Sequence, residues 1–229
     1  MTAPPSFGGA LHAIAELQPH LPAVASAGVG LLALGAAILP GLSGLTQHVN
    51  TMAHEGAHAM MGSATGRTVT GVQLKRNGEG ETRLTEPRGA GYALAGTVGY
   101  LGPSAFGLAA AELIRVGHAV AVVWFTIVAL AVLGVLARRS PFSITAVLVT
   151  DLLVYLVARY SPVGAVVALA YALAWFLLLS GLRVVMLHGR NAGDAKILHR
   201  LTHIPRGLWV GLWLVGSALA LLVGGRMLL

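Results

Sequence analysis

Cysteine is absent from this chain of 229 residues. That removes disulfides, Cys-ligated zinc, iron–sulfur clusters and cysteine nucleophiles together. Charge is nearly as scarce: Asp, Glu, Lys and Arg make up 10%, against roughly 25% in soluble domains. No basic helix or aromatic platform accompanies the net charge of +7, so nucleic-acid binding is not its explanation. There are only 10 Pro, and the 30 Gly follow no triplet period, which excludes a collagen-like chain. Residues 1–20 hold no Lys or Arg. The positive n-region of a signal peptide is therefore missing, and the first hydrophobic helix is expected to stay in the mature protein. What the chain does have is apolar: 56% hydrophobic residues and a mean hydropathy of +0.77. Such a composition is not disordered. It is that of an integral membrane protein, with the lipid bilayer as its first partner.

Runs of about 20 apolar residues are what a helix needs to cross hydrocarbon. The sequence predicts an all-α polytopic protein with about seven such helices, over 21–45, 46–66, 89–113, 117–137, 140–158, 162–187 and 207–227, in one membrane-embedded domain over 1–229. The second is polar in its middle, with Glu55 its only formal charge. The polar segment 67–88 reads as a short β-hairpin: Val72 and Leu74 alternate with polar neighbours, and Asn77-Gly78 is a strong turn signal. If all seven helices cross, 12 of the 15 Lys and Arg fall on the side of the N-terminus, leaving only Arg115, Arg159 and Arg226 opposite. By the positive-inside rule the N-terminus is expected in the cytoplasm and the C-terminus outside. Trp209 and Trp213 near the start of the last helix suit an interfacial belt. The third helix is rich in glycine, which favours close packing between membrane helices.

The chemistry concentrates in the second helix, where residues 54–58 read His54-Glu55-Gly56-Ala57-His58. On a helix, positions i and i+4 share one face, so two imidazoles can grip one zinc ion. Glu55 sits beside them and can act as general base on a water at the metal. Gln47, Asn50 and Thr51 extend a polar stripe on or near the same face. Ionisable groups are costly at bilayer depth, so three within five residues point to function. Two histidines leave a tetrahedral zinc one protein ligand short. Without cysteine the third must be His, Asp or Glu. Asp194 is one candidate, although an Asp after Gly at the opening of a helix is also an ordinary N-cap. Asp151, inside the fifth helix, is the rival: it can ligate, orient a ligand histidine, or pair with Arg159 or a histidine. Glu112 beside Arg115 reads as an interfacial ion pair. His199 and His203 share the i, i+4 relation but lack an intervening glutamate and read as solvated surface groups.

A membrane-embedded His-Glu-Gly-Ala-His, then a short hairpin, then a glycine-rich helix resembles the site-2 protease group of intramembrane zinc metalloproteases. The stretch from Gly193 to Trp213 is similar to the compact M50B-like peptidases. The resemblance implies zinc held by His54, His58 and Asp194, Glu55 as catalytic base, a bacterial cell membrane, and single-span membrane proteins, anti-sigma factors among them, as substrates. It favours Asp194 over Asp151. The late motif departs from the pattern: Ala195 follows the aspartate where many members carry glycine, and no Asn-x-x-Pro precedes it, which leaves Asn191 as the nearest substitute amide. Two other readings compete. An inactive zinc-binding protein would need no Glu55, and a transporter would be expected to show an inverted repeat, which is not visible here.

Overall fold

The computed structural model describes residues 12–189 and 193–229. Arg190 and Asn191, one counted among the basic residues and the other considered as an amide donor, lie outside them. The helices are α1 (Ala23–Ile38), α2 (Leu42–Ala64), α3 (Ala90–Arg115), α4 (Ala119–Ala137), α5 (Pro141–Tyr160), α6 (Val163–His188), α7 (Gly193–Thr202) and α8 (Arg206–Leu228). Between α2 and α3 comes the expected hairpin, β1 (Val69–Leu74) antiparallel to β2 (Gly80–Leu84).

Helix ends follow backbone chemistry. Pro141 opens α5, with Ser140 as its N-cap accepting from the Ser143 N–H; proline has no N–H to lose at that position. Pro162 and Pro205 directly precede α6 and α8. By contrast α3 runs unbroken through Pro103, which packs beside Gly181 of α6. Membrane helices tolerate an internal proline where a neighbour packs around it.

α1 stops earlier than the sequence suggested. Pro40 cannot continue the hydrogen-bond ladder, and Gly41 takes a φ of 85°, so α1 and α2 meet at 99°. The Thr46 hydroxyl donates to the Ala36 carbonyl at 2.8 Å, pairing one of the acceptors that the last turn of α1 leaves open. Among the described residues, four helices, α4, α5, α6 and α8, are long and apolar enough to cross a membrane, and five spans result if the bent α1–α2 pair is one. The expected count of seven is thus not reproduced by length and apolarity. α1 has only 16 residues, about 24 Å of helix. α2 is polar, and α3, 26 residues long, has its hydropathy diluted by glycine.

Contacts sort the junctions into two ends. At one end the Gln18 N–H donates to the Gly117 carbonyl at 2.8 Å, Gln18 Oε1 accepts from the Val120 N–H at 3.0 Å, and the Leu21 N–H donates to the Tyr171 hydroxyl at 3.2 Å. Residues 18–21 therefore sit where α3 passes into α4. At the other end β1 meets the junction of α4 and α5: Ser143 Oγ accepts from the Leu74 N–H at 2.8 Å and donates to the Leu74 carbonyl at 3.2 Å. Leu21 and the contact of β1 with Ser143 thus lie at opposite ends of the bundle, as they do if the bent α1–α2 pair is one span.

α3 is the central helix, touching α2, α6, α7 and α8. Its glycines allow close approach: Gly102 lies against Ala57 of α2, and a methyl on Gly107 would stand 2.9 Å from Leu178 Cγ of α6. Trp213, expected at the interface, is instead fully buried and stacks on Tyr100 with centroids 4.6 Å apart. The cause is its hydrogen bond: the indole N–H donates to the Thr97 carbonyl at 2.9 Å, which lets the ring leave the wet boundary.

Candidate metal centre

The two histidines lie one turn apart on α2 and face α3. Gly99 is the residue that admits them. A methyl there would strike the His58 ring and stand 2.9 Å from His54 Cε1. The His54 ring also meets Tyr100 edge-on, with centroids 4.8 Å apart. Asp194 arrives in the first turn of α7. That short helix is held by Ala195 and Leu198, both fully buried, against Val185, Val210 and Trp213.

Three atoms converge. His58 Nε2 is 3.1 Å from His54 Nε2, while Asp194 Oδ2 is 3.2 Å from His54 Nε2 and 3.3 Å from His58 Nε2. Donors bound to zinc at about 2.0–2.1 Å in a tetrahedron stand about 3.3–3.4 Å apart, so this near-equilateral triangle has the dimensions of one face. His58 Nδ1 lies 2.7 Å from the Ala95 carbonyl. A carbonyl only accepts, so in the neutral ring the proton sits on Nδ1 and the lone pair on Nε2. That lone pair points at a carboxylate oxygen and a second imidazole nitrogen. Such a crowd of acceptors is stable only around a cation or a shared proton. Hydrogen bonding of the far ring nitrogen to a carbonyl is also how metal-ligating histidines are usually oriented. The side chains keep 15% (His54), 11% (His58) and 19% (Asp194) of their surface exposed, which leaves an approach for a fourth ligand. His54, His58 and Asp194 can thus hold a metal ion.

Glu55 is 2% exposed and lies within electrostatic reach of His58. The Thr82 hydroxyl of β2 donates to its Oε2 at 2.6 Å, and Gly80 packs against the carboxylate. The polar stripe of α2 faces inward as expected. The Thr51 hydroxyl donates to the Gly78 carbonyl at 2.6 Å, Gln47 packs on Gly78, and Asn50 Oδ1 accepts from Ser180 at 3.0 Å. Outside the membrane helices, Asn77 and Lys75 hold the Glu79 carboxyl below the usual carboxylate range, and Arg83 does the same for Glu81. Exposed pairs of this kind add little stability, so the hairpin is positioned by its contacts with α2 and Ser143.

The other sequence candidates fall elsewhere. Asp151 is not brought to the cluster; its Oδ1 is buried without a partner, and among the described residues it forms no ion pair with Arg159 or a histidine. Glu112 and Arg115 form the expected ion pair at 2.6 Å. His199 lies at the surface, with Nδ1 2.9 Å from the Ile204 carbonyl. Thr82, Gly80, Gly99, Tyr100 and Ala95 escaped sequence reasoning. The glycine content of α3 was visible, but which glycine faces the histidines depends on the rotation of α3 about its axis.

Fold and site together define a helical membrane protein with a buried centre of two histidines and an aspartate able to take a metal. The family of Peptidase M50B-like proteins matches residues 25–224, and the chain belongs to that family. No curated protein and no solved structure matches it.

Proposed function

We propose that this protein is an intramembrane zinc metalloprotease of the site-2 type that cuts transmembrane segments of single-span membrane proteins. The observation that carries the reading is the triangle of His54 Nε2, His58 Nε2 and Asp194 Oδ2, with edges of 3.1–3.3 Å, beside the buried carboxylate of Glu55. The nitrogen and oxygen donors suit zinc. When bound, zinc supplies Lewis acidity to the scissile carbonyl and to the attacking water. Glu55 takes the proton from that water and returns it to the leaving amide nitrogen. His54, His58 and Asp194 hold the centre, and Gly99 leaves the space they occupy.

A substrate helix hides its backbone until it unwinds, so an extended segment needs a partner strand. The hairpin offers one. The Leu74 backbone turns away from β2 toward Ser143. Pairs opposite each other in an antiparallel ladder alternate in bonding, so Gly80 and Thr82, opposite Leu74 and Val72, direct their N–H and C=O groups to the outer edge of β2. We take that edge as the docking strand for substrate.

The basic bias supports a reading in which the hairpin end of the bundle faces the cytoplasm of a bacterial cell. With α1 and α2 forming one bent traverse, residues 12–21 and the C-terminus then lie on the opposite side. Anti-sigma factors fit the required substrate class, a single membrane helix.

The test is metal content and cleavage of purified protein. Wild type is expected to hold one zinc per chain, and His54→Ala to lose it. Glu55→Gln should retain zinc while cleavage falls by about 10²–10⁴-fold. Undiminished cleavage by Glu55→Gln would reject the mechanism, and an inactive wild type that binds zinc would leave a metal-binding protein instead.

A further inference from the structure

The Glu55 carboxylate has one hydrogen-bonding side chain against it among the described residues, and that side chain comes from the hairpin rather than from a helix. The Thr82 hydroxyl reaches Oε2 at 2.6 Å, with the Glu55 main-chain carbonyl, at 3.1 Å, the second acceptor in range. The shorter distance is that of a charge-assisted O–H···O⁻ bond. The other side of the carboxylate is seated on Gly80, where a methyl would collide with Oε1 and stand 2.6 Å from Cγ and 2.7 Å from Cδ. Gly80 and Thr82 share one face of β2, two residues apart. That face also carries Leu84, which closes on Gly62 of α2. β2 therefore runs along α2 with its glycine and its hydroxyl aligned to Glu55.

The hairpin itself has little freedom. Val72 and Leu74 are 4% and 2% exposed, Ser143 holds Leu74 on one side, and Thr51 holds the turn at Gly78. A glutamate has three side-chain torsions, and misplacing a catalytic group by about 1 Å costs up to about 100-fold in rate. We propose that Thr82 is the positioning residue for Glu55: its hydroxyl transfers the fixed position of the hairpin to the carboxylate. This rests on the reading of Glu55 as the base and deepens it. The same residue turns its backbone to the outer edge of β2, so the strand that is to receive substrate also seats the base.

The experiment compares Thr82→Val, which keeps the shape and removes the hydroxyl, with Thr82→Ser, which keeps the hydroxyl. Cleavage of a single-span test substrate in liposomes should show kcat lowered about 10–100-fold in Thr82→Val, KM little changed, zinc content unchanged, and kcat recovered in Thr82→Ser. A second readout needs neither metal nor activity. In chelator-treated protein, Thr82→Val should lower the melting midpoint by about 2–4 °C, and the same change in a Glu55→Ala background should lower it far less. Full kcat in Thr82→Val, a loss carried by KM or by zinc content, no rescue by serine, or equal melting shifts in both backgrounds would overturn the proposal. Failure of the base assignment itself reads out separately, as cleavage persisting in Glu55→Gln.

Discussion

Asp194 and Asp151 are both acids set among membrane helices, and they meet opposite surroundings. Asp194 shares one oxygen with two imidazoles at 3.2 and 3.3 Å. Asp151 lies partway along α5 and has an oxygen shielded from solvent with nothing to bond among the described residues. On its own element neither residue looks privileged: one opens a short helix, the other interrupts an apolar one. What separates them is which helices fold against them. α7 is pressed onto α3 and α8 through Ala195 and Leu198, which aims Asp194 at α2. α5 packs chiefly on α4, with smaller contacts to β1, α2 and α6; the α2 histidine that meets it, His48, stands against Phe142, and among the described residues none reaches Asp151. A lone acid in an apolar stretch marks a cost, and only the partners brought by tertiary packing tell whether that cost serves a site.

The sharpest way to break the contrast is to neutralise each acid in turn. Asp194→Asn should reduce zinc affinity by more than the about 10–100-fold that follows loss of a mere supporting partner, whereas Asp151→Asn should leave zinc content unchanged; titration of purified protein with a competing chelator measures both. If Asp151→Asn strips the metal, the assignment of the third donor is wrong. A smaller effect is expected at Gly99→Ala. Its methyl would press on the His58 ring and His54 Cε1, lowering zinc affinity by about 10–100-fold although no donor is removed. Smallest in its effect on zinc is Leu198→Ala at the base of α7. Emptying this fully buried position should cost about 2–5 kcal/mol of stability, seen as a lower melting midpoint, with zinc still bound at saturating concentration.

The parts of this molecule legible in the sequence are those governed by local periodicity. His54 and His58 are four residues apart, so a helix alone places them on one face. The hairpin follows from alternation and Asn77-Gly78, although its loop is wider than a two-residue turn, spanning Lys75–Glu79 with the Lys75 N–H on the Glu79 carbonyl at 2.8 Å. The inward stripe of Gln47, Asn50 and Thr51 was likewise readable. What escaped depends on contacts between distant segments. Trp213 carries the signature of an interfacial residue, yet an acceptor on α3 draws it inside. Thr82 carries no signal at all until β2 is laid along α2. The bend between α1 and α2 was not legible because hydropathy windows count apolar length and do not register the direction change that Pro40 and Gly41 impose.

The placement of Asp194 has a temporal corollary. The ribosome releases His54 and His58 long before it reaches Asp194, and two imidazoles alone leave the coordination shell short of a protein donor. On the function proposed here, a nascent chain stays catalytically silent while its early helices enter the bilayer. Competence then comes only once α7 has docked, and cation retention is expected to serve as a readout of completed assembly.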